Sequence, residues 1–203
     1  VPAPYASVDK RIELVRSAAL LLHEQGFQRT TLADVAGHAG VPLGNVYYYF
    51  KTKEALAESV ILAHVDAIRA RLEAWVAVHE APGERLRRLV RAPLDNAERV
   101  IQFGCPHGSL CQELEKLGPD APLAKAAATM LHVFIDWASE QFGELGHTDR
   151  EARAYAIQLI AGIQGTMLVA HTMRSPELLS QQLRRLEKSF DEAFTPKSTR
   201  RRS

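Results

Sequence analysis

The chain has no run of about 18 apolar residues, so no transmembrane helix is expected. Its first residues do not form a charged-then-apolar leader. Two cysteines in 203 residues are too few for a disulfide scaffold and fit a reducing cytoplasm. Charge of one sign is also missing. The 25 Lys and Arg against 24 Asp and Glu leave a formal net charge of +1, so any field attracting nucleic acid must be local. Candidates are Lys10, Arg11, Arg16, Arg29, Lys51 and Lys53, and, at the end, Lys197 with Arg200, Arg201 and Arg202. Residues 195–203 read as a basic, solvated tail or as an auxiliary phosphate contact. Catalytic signatures are absent too. There is no His-Glu-x-x-His and no Gly-rich phosphate loop after a strand, and no nucleophile triad order stands out among eight scattered His. No catalytic residue, cofactor or resident metal is expected.

What is present is nearly continuous helical periodicity in a chain that is 46% hydrophobic. A first helix is expected over 9 to 25, ended by Gly26, with Phe27 plugging a small core. Short helices follow near 31–38 and 42–49. Thr52 can cap a long helix over 53 to 80, which Pro82-Gly83 should stop. The helix over 83 to 102 should kink or split at Pro93. Gly104 to Gly108 reads as a non-helical joint. Ser109 with Gln112 reads as a capping box for a short helix to about Leu117, broken by Gly118-Pro119. Further helices are expected over 121–143, over 148–173 behind a Thr148–Glu151 capping box, and over 176–194 behind Ser175-Pro176. The fold class is therefore all-α, with about nine helices.

Residues 30 to 54, TTLADVAGHAGVPLGNVYYYFKTKE, carry the most information. Thr31 is a plausible N-cap with Asp34 three residues on. Leu32, Val35 and Ala36 share a face, Ala39-Gly40-Val41 breaks the helix, and Pro42 suits the first turn of the next. Two short helices around a tight Gly turn make a helix-turn-helix, whose second helix can enter a DNA major groove.

The order of Gly26-Phe27, Thr30-Thr31, Val35-Ala36, Ala39-Gly40-Val41, Gly44 to Phe50 and Lys53-Glu54-Ala55-Leu56 resembles the DNA-binding segment of the TetR family of bacterial transcriptional regulators. The match covers residues 10 to 60. Many members carry Ser or Thr where Pro42 stands, so side-chain capping of the second helix is absent here. The resemblance implies a helix-turn-helix domain over 1–54 and a ligand-binding and dimerisation domain over 55–194. It implies that Leu43, Gly44 and Asn45 meet base edges, with Asn45 suited to adenine. Thr31, Tyr47, Tyr49 and Lys53 would contact phosphates, and Tyr48 would pack beside a sugar. The Tyr-Tyr-Tyr-Phe run also has a core reading, which is preferred for Phe50.

The family's mechanism implies a repressor that binds a palindromic operator as a homodimer and leaves when a small molecule enters the C-terminal domain. The expected dimer helices are 149–173 and 176–194, where Gly162 and Gly165 allow close approach, although the same residues could serve the subunit's own core. Candidate ligand-pocket residues are Trp75, Phe103, Cys105, His107, Phe134, Trp137, Gln164 and His171, each also readable as core. Gly104 to Cys111 resembles a Gly-Cys-Pro-x-Gly-x-Leu segment of one branch of the family, some members of which respond to electrophiles. Cys105 beside a helix start and His107 could be such a thiol, with Cys111 resolving it, or both could be small buried apolar groups. A metal held by Cys105, His107 and Cys111 lacks paired Cys-x-x-Cys spacing. A constitutive activator and a helical enzyme are the alternative functions.

Overall fold

Thr31 and Asp34 close a reciprocal box. The Thr31 hydroxyl accepts from the Asp34 amide at 3.1 Å, and the Asp34 carboxylate accepts from the Thr31 amide at 2.8 Å. This opens α2 (Leu32–His38), after α1 (Pro4–Gln25). Gly26 and Gly40 adopt φ of +86° and +65°, the left-handed region that stops α1 and α2. α3 (Leu43–Tyr49) follows, with Pro42 as an N-cap that makes no side-chain bond, as expected. The Thr52 hydroxyl accepts from the Ala55 amide at 3.1 Å at the start of α4 (Lys53–Val78).

The structure, a computed structural model, describes residues 4–79, 81–118 and 120–196. Lys197, Arg200 to Arg202 and Pro119 lie outside the described residues. Ten α-helices and one 3-10 turn, with no strand, make up the described residues. The expected fifth helix splits at Pro93 into α5 (Pro82–Arg91), a 3-10 segment (Ala92–Asn96) and α6 (Ala97–Phe103). The remaining helices are α7 (Pro106–Glu115), α8 (Pro122–Glu144), α9 (Asp149–Thr172) and α10 (Pro176–Ser189).

Four boundaries differ from expectation. α1 starts at Pro4 rather than near residue 9, with the proline at the first helical position. Pro82 does not end α4, which stops at Val78; it opens α5, because its missing N–H and fixed φ suit a first turn. For the same reason α7 starts at Pro106, so Ser109 lies inside the helix and the expected Ser109–Gln112 box does not form. α10 ends at Ser189 rather than near Phe194. The following turn folds Phe190 and Phe194 onto Phe142, with ring centroids at 6.3 and 5.9 Å.

The described residues fall into two compact units, drawn from 1–67 with 106–130 and from 68–105 with 131–203. In the first, Leu14, Val46, Phe27 and Phe50 are fully buried. The Phe27 amide donates to the Glu113 carboxylate of α7, and the Phe27 carbonyl accepts from Lys53 Nζ at 2.9 Å. His64 of α4 meets His107 of α7 edge-to-face at 5.1 Å. Burial, and secondarily the nearby His23, hold the His64 pKa below the ordinary His range. In the second unit, Arg85 is buried but bonded, to the His79 carbonyl at 2.6 Å, Gln141 at 3.0 Å and Glu144 at 3.1 Å. Thr148 and Glu151 form the expected box, and Ser175 caps α10 through the Leu178 amide at 3.1 Å.

Two predictions follow from this packing. A Cβ at Gly83 would collide with the Phe194 carbonyl, a backbone atom, whereas Gly143 in α8 has nothing within 4 Å. Gly83→Ala should cost about 2 kcal/mol or more, while Gly143→Ala should be neutral or add up to about 1 kcal/mol; urea unfolding compares them. For His64, the depressed folded pKa means the neutral form is favoured on folding. Its contribution is complete above the unfolded His pKa of about 6.5 and is lost as pH falls below it. Melting temperature should drop between pH 7.5 and 5.5, and His64→Gln should flatten part of that drop. An unchanged slope in the variant would remove His64 from the account.

Candidate nucleic-acid interface

Helix α3 is amphipathic over only seven residues. Val46 and Phe50 point into the core of the first unit, and Arg11 stands over the Phe50 ring at 5.2 Å while donating to Ser59 Oγ at 3.1 Å. The opposite face is open. Tyr48 is 75% exposed, Tyr47 48% and Leu43 39%, and Gly44 is exposed with nothing within 4 Å of its Cβ position. Asn45 and Tyr49 are half-buried, and Tyr49 meets the Tyr48 ring edge-on at 4.9 Å. Large aromatic and aliphatic groups left in water over two helical turns, on a scaffold anchored by Val46 and Phe50, make this face the candidate recognition surface. Among the expected contact residues, Leu43, Gly44, Tyr47 and Tyr48 thus share an exposed face.

The turn before α3 is fixed by backbone bonds. The Val41 amide donates to the Ala36 carbonyl at 3.0 Å across Gly40, a Schellman-type closure. The Asn45 amide donates to the Pro42 carbonyl at 2.8 Å. These bonds close the turn between α2 and α3.

Two of the expected phosphate contacts already have partners. The Thr31 hydroxyl donates to Asp34 at 2.7 Å, which holds the Asp34 carboxyl below its usual range, the side-chain bond being the larger cause and the Thr31 amide the second. Lys53 Nζ donates to the Phe27 carbonyl, and to that of Gln28 at 3.4 Å, with its charge 4.3 Å from the Phe27 ring centre. It is half-buried. Its charge therefore sits fixed beside α2 rather than on a free stem. The Glu113 bond to Phe27 is a contributor that sequence reading missed, since 86 residues separate the partners.

The candidate ligand-pocket residues fall in two places. His107 belongs to the first unit, against His64. Trp75, Phe103, Cys105, Phe134, Trp137, Gln164 and His171 belong to the second. There Trp75 and Trp137 meet at 6.2 Å, and Arg71 stands over both Trp75 and Phe134. His171 Nδ1 lies 2.9 Å from the Ile101 carbonyl, to which it donates as the Nδ1–H tautomer. Gln164 is half-buried on α9. Trp137 also lines an open groove of about 600 Å³ with Leu72, Val76, Arg85 and Gln141. Cys105 is buried and Cys111 half-buried, its thiol donating to the Ala127 carbonyl at 3.2 Å; both are thiols. Among the described residues no group of three or more His, Cys, Asp or Glu could hold a metal ion, and no helix is long and apolar enough to cross a membrane.

Comparison with known proteins gives this surface a context. Residues 14–60 match the family model of bacterial regulatory proteins of the tetR family. The chain is 34% identical over 154 residues to the HTH-type transcriptional regulator BetI of Burkholderia ambifaria, covering 63% of this chain and 78% of that protein. It is 30% identical over 95 residues to the HTH-type transcriptional repressor KstR2 of Mycolicibacterium smegmatis, covering 47% and 46%. Its fold superposes on the crystal structure of a regulatory protein TetR from Rhodobacter sphaeroides with a TM-score of 0.74 at 26% identity, covering 87% of this chain and 96% of that one. These relatives are transcriptional regulators rather than enzymes. The chain belongs to the TetR family of bacterial helix-turn-helix transcriptional regulators.

Proposed function

We propose that this DNA-binding regulator is a ligand-responsive repressor, acting in the cytoplasm as a homodimer on a palindromic operator. The exposed face of α3 is the observation that carries the reading. Leu43, Gly44 and Asn45 lie at the N-terminal end of the helix, the part that meets base edges in helix-turn-helix proteins. Tyr47 and Tyr49 supply hydroxyls, Thr31 lies at the start of α2 and Lys53 holds a fixed charge, so phosphates would be positioned with little net charge. Tyr48 would lie against the sugar. KstR2, named a repressor, supports repression as the direction.

The dimer reading rests on α9. Ile157 and Leu168 are 49% and 53% exposed, Ala154, Ala161 and Gly165 are exposed on the same helix, and Met173 just past its end is 62% exposed. Such an apolar face in water favours a partner. The two glycines divide their labour: a Cβ at Gly162 would meet Leu186 of the same chain, whereas Gly165 has nothing within 4 Å. Leu179, Leu183 and Phe190 are buried within the chain and serve its own core. The proposed interface is thus the outer face of α9 with the half-buried Leu178 and Leu186 of α10 alongside.

A small molecule in the second unit, among Trp75, Phe103, Cys105, Phe134, Trp137, Gln164 and His171, would bias α4. That helix is unbroken from Lys53 to Val78. The ligand needs only a higher affinity for the state whose reading heads miss the half-sites. The burial of Cys105 favours a non-covalent ligand over an electrophile.

Mobility-shift assays test the reader. Asn45→Ala should lose about 1–3 kcal/mol of discrimination at one base pair per half-site. Tyr47→Phe and Lys53→Ala should weaken all sequences alike, with Lys53→Ala lowering the salt slope by about 1. Unchanged binding in both classes of variant would rule out this docking. Leu168→Glu should give a monomer in sedimentation and lose operator affinity; a stable dimer in that variant would place the interface elsewhere.

A further inference from the structure

In the second unit, two helices bring two guanidinium groups to one indole. Arg71 and Trp75 are one turn apart on α4, and the Arg71 guanidinium stands 5.5 Å from the Trp75 ring centre and 5.9 Å from that of Phe134 on α8. Arg88 of α5 stands over Trp75 at 5.0 Å. Both rings are buried. One carboxylate answers the two cations, and Asp95 is bonded to Arg88. Arg71 has no ion-pair partner among the described residues. Loss of water around it, and secondarily the charge of Arg88, lower its pKa.

Like charges on one ring repel each other, and the ring quadrupole offsets only part of that cost. Arg71 itself is exposed, and Asp95, already bonded to Arg88, offsets only part of the repulsion that Arg71 meets. Its planar fork fits a carboxylate bidentately better than it fits any neutral group. The surroundings are aromatic: Trp137 meets Trp75 edge-on, and Arg99 stands over Phe103 at 5.2 Å in the same unit. Trp137 and Phe103 are half-buried and leave aromatic surface for an apolar body, so an organic acid suits the place better than a small inorganic anion.

We propose that Arg71, assisted by Arg88, is an anion seat, and that the small molecule taken by this unit is an acid with an apolar body. This rests on the reading that the unit binds a ligand, and names the chemical class of that ligand. Arg71 meets the carboxylate, Arg88 lends its second charge while paired to Asp95, and Trp75 holds both guanidinium planes in place. Binding would relieve the repulsion along the side of α4 that carries Arg71 and Trp75.

Titration calorimetry on the full chain without DNA tests the seat, using decanoate and 1-naphthoate against the alcohol and the ammonium compound of each body. At least one carboxylate should bind about tenfold or more tightly than its alcohol, and the ammonium compound more weakly still. Arg71→Met should erase that preference and Arg71→Lys should keep part of it, with melting curves showing both variants folded. Equal affinity for acid and alcohol, tighter binding of the ammonium compound, or no binding of either acid would overturn the seat. So would a preference that survives in folded Arg71→Met. If Arg71→Met instead lowers affinity for random duplex DNA while neither acid binds, the cations serve phosphates and the seat is wrong. Mobility shifts with the bound acid separate the two levels. Acid binding that leaves operator affinity unchanged upholds the seat and overturns ligand-responsive repression.

Discussion

Phe27 is the residue on which the reading head depends. Its ring is 2% exposed, its amide is taken by Glu113 and its carbonyl by Lys53. It lies directly after Gly26, whose positive φ turns the chain out of α1. Helices α1, α4 and α7 are therefore joined at one backbone unit. Short helices such as α2 and α3, seven residues each, are marginal by themselves and take their order from packing. Phe27 and Phe50 supply that packing from below. The outward face of α3 is consequently free to carry Leu43, Tyr47 and Tyr48 without contributing to the core.

Charge is used sparingly and locally. A formal net charge of +1 provides no long-range attraction to DNA. Lys53 is tied to two carbonyls, and Asp34 sits beside the expected phosphate contact Thr31. In the proposed dimer, affinity would come from hydroxyls, backbone N–H groups and the doubling of sites by symmetry, and geometry would be the quantity that a ligand alters. The second unit shows the reverse pattern. Its cations are placed on aromatic faces, Arg71 and Arg88 over Trp75 and Arg99 over Phe103.

Much of this was legible in the sequence because the signals are local. The Thr31–Asp34 and Thr148–Glu151 boxes, the Ser175-Pro176 start, the stops at Gly26 and Gly40 and the break near Pro93 each depend on residues within a turn of one another. Two of the misread boundaries came from prolines with two meanings. Pro82 and Pro106 read as breakers but act as first residues of α5 and α7, so the joint at Cys105 is shorter than expected and Ser109 is helical. Long-range pairings left no sequence signal. Glu113 with Phe27, Arg85 with Gln141 and Glu144, and Arg71 with Phe134 join residues 56 to 86 positions apart in the first three cases and two separate helices in the last. The aromatic candidates Trp75, Phe103 and Phe134 were visible by type, but the guanidinium groups above them were not.

The central claim is that the exposed face of α3 reads DNA as one half of a symmetric pair. Selecting bound fragments from sheared genomic DNA with the purified protein tests it most directly. The account predicts an inverted repeat whose half-site centres lie about one helical turn, roughly 34–36 Å, or a multiple of that apart. Enriched fragments without any repeat, with affinity that varies with salt but not with sequence, would contradict it.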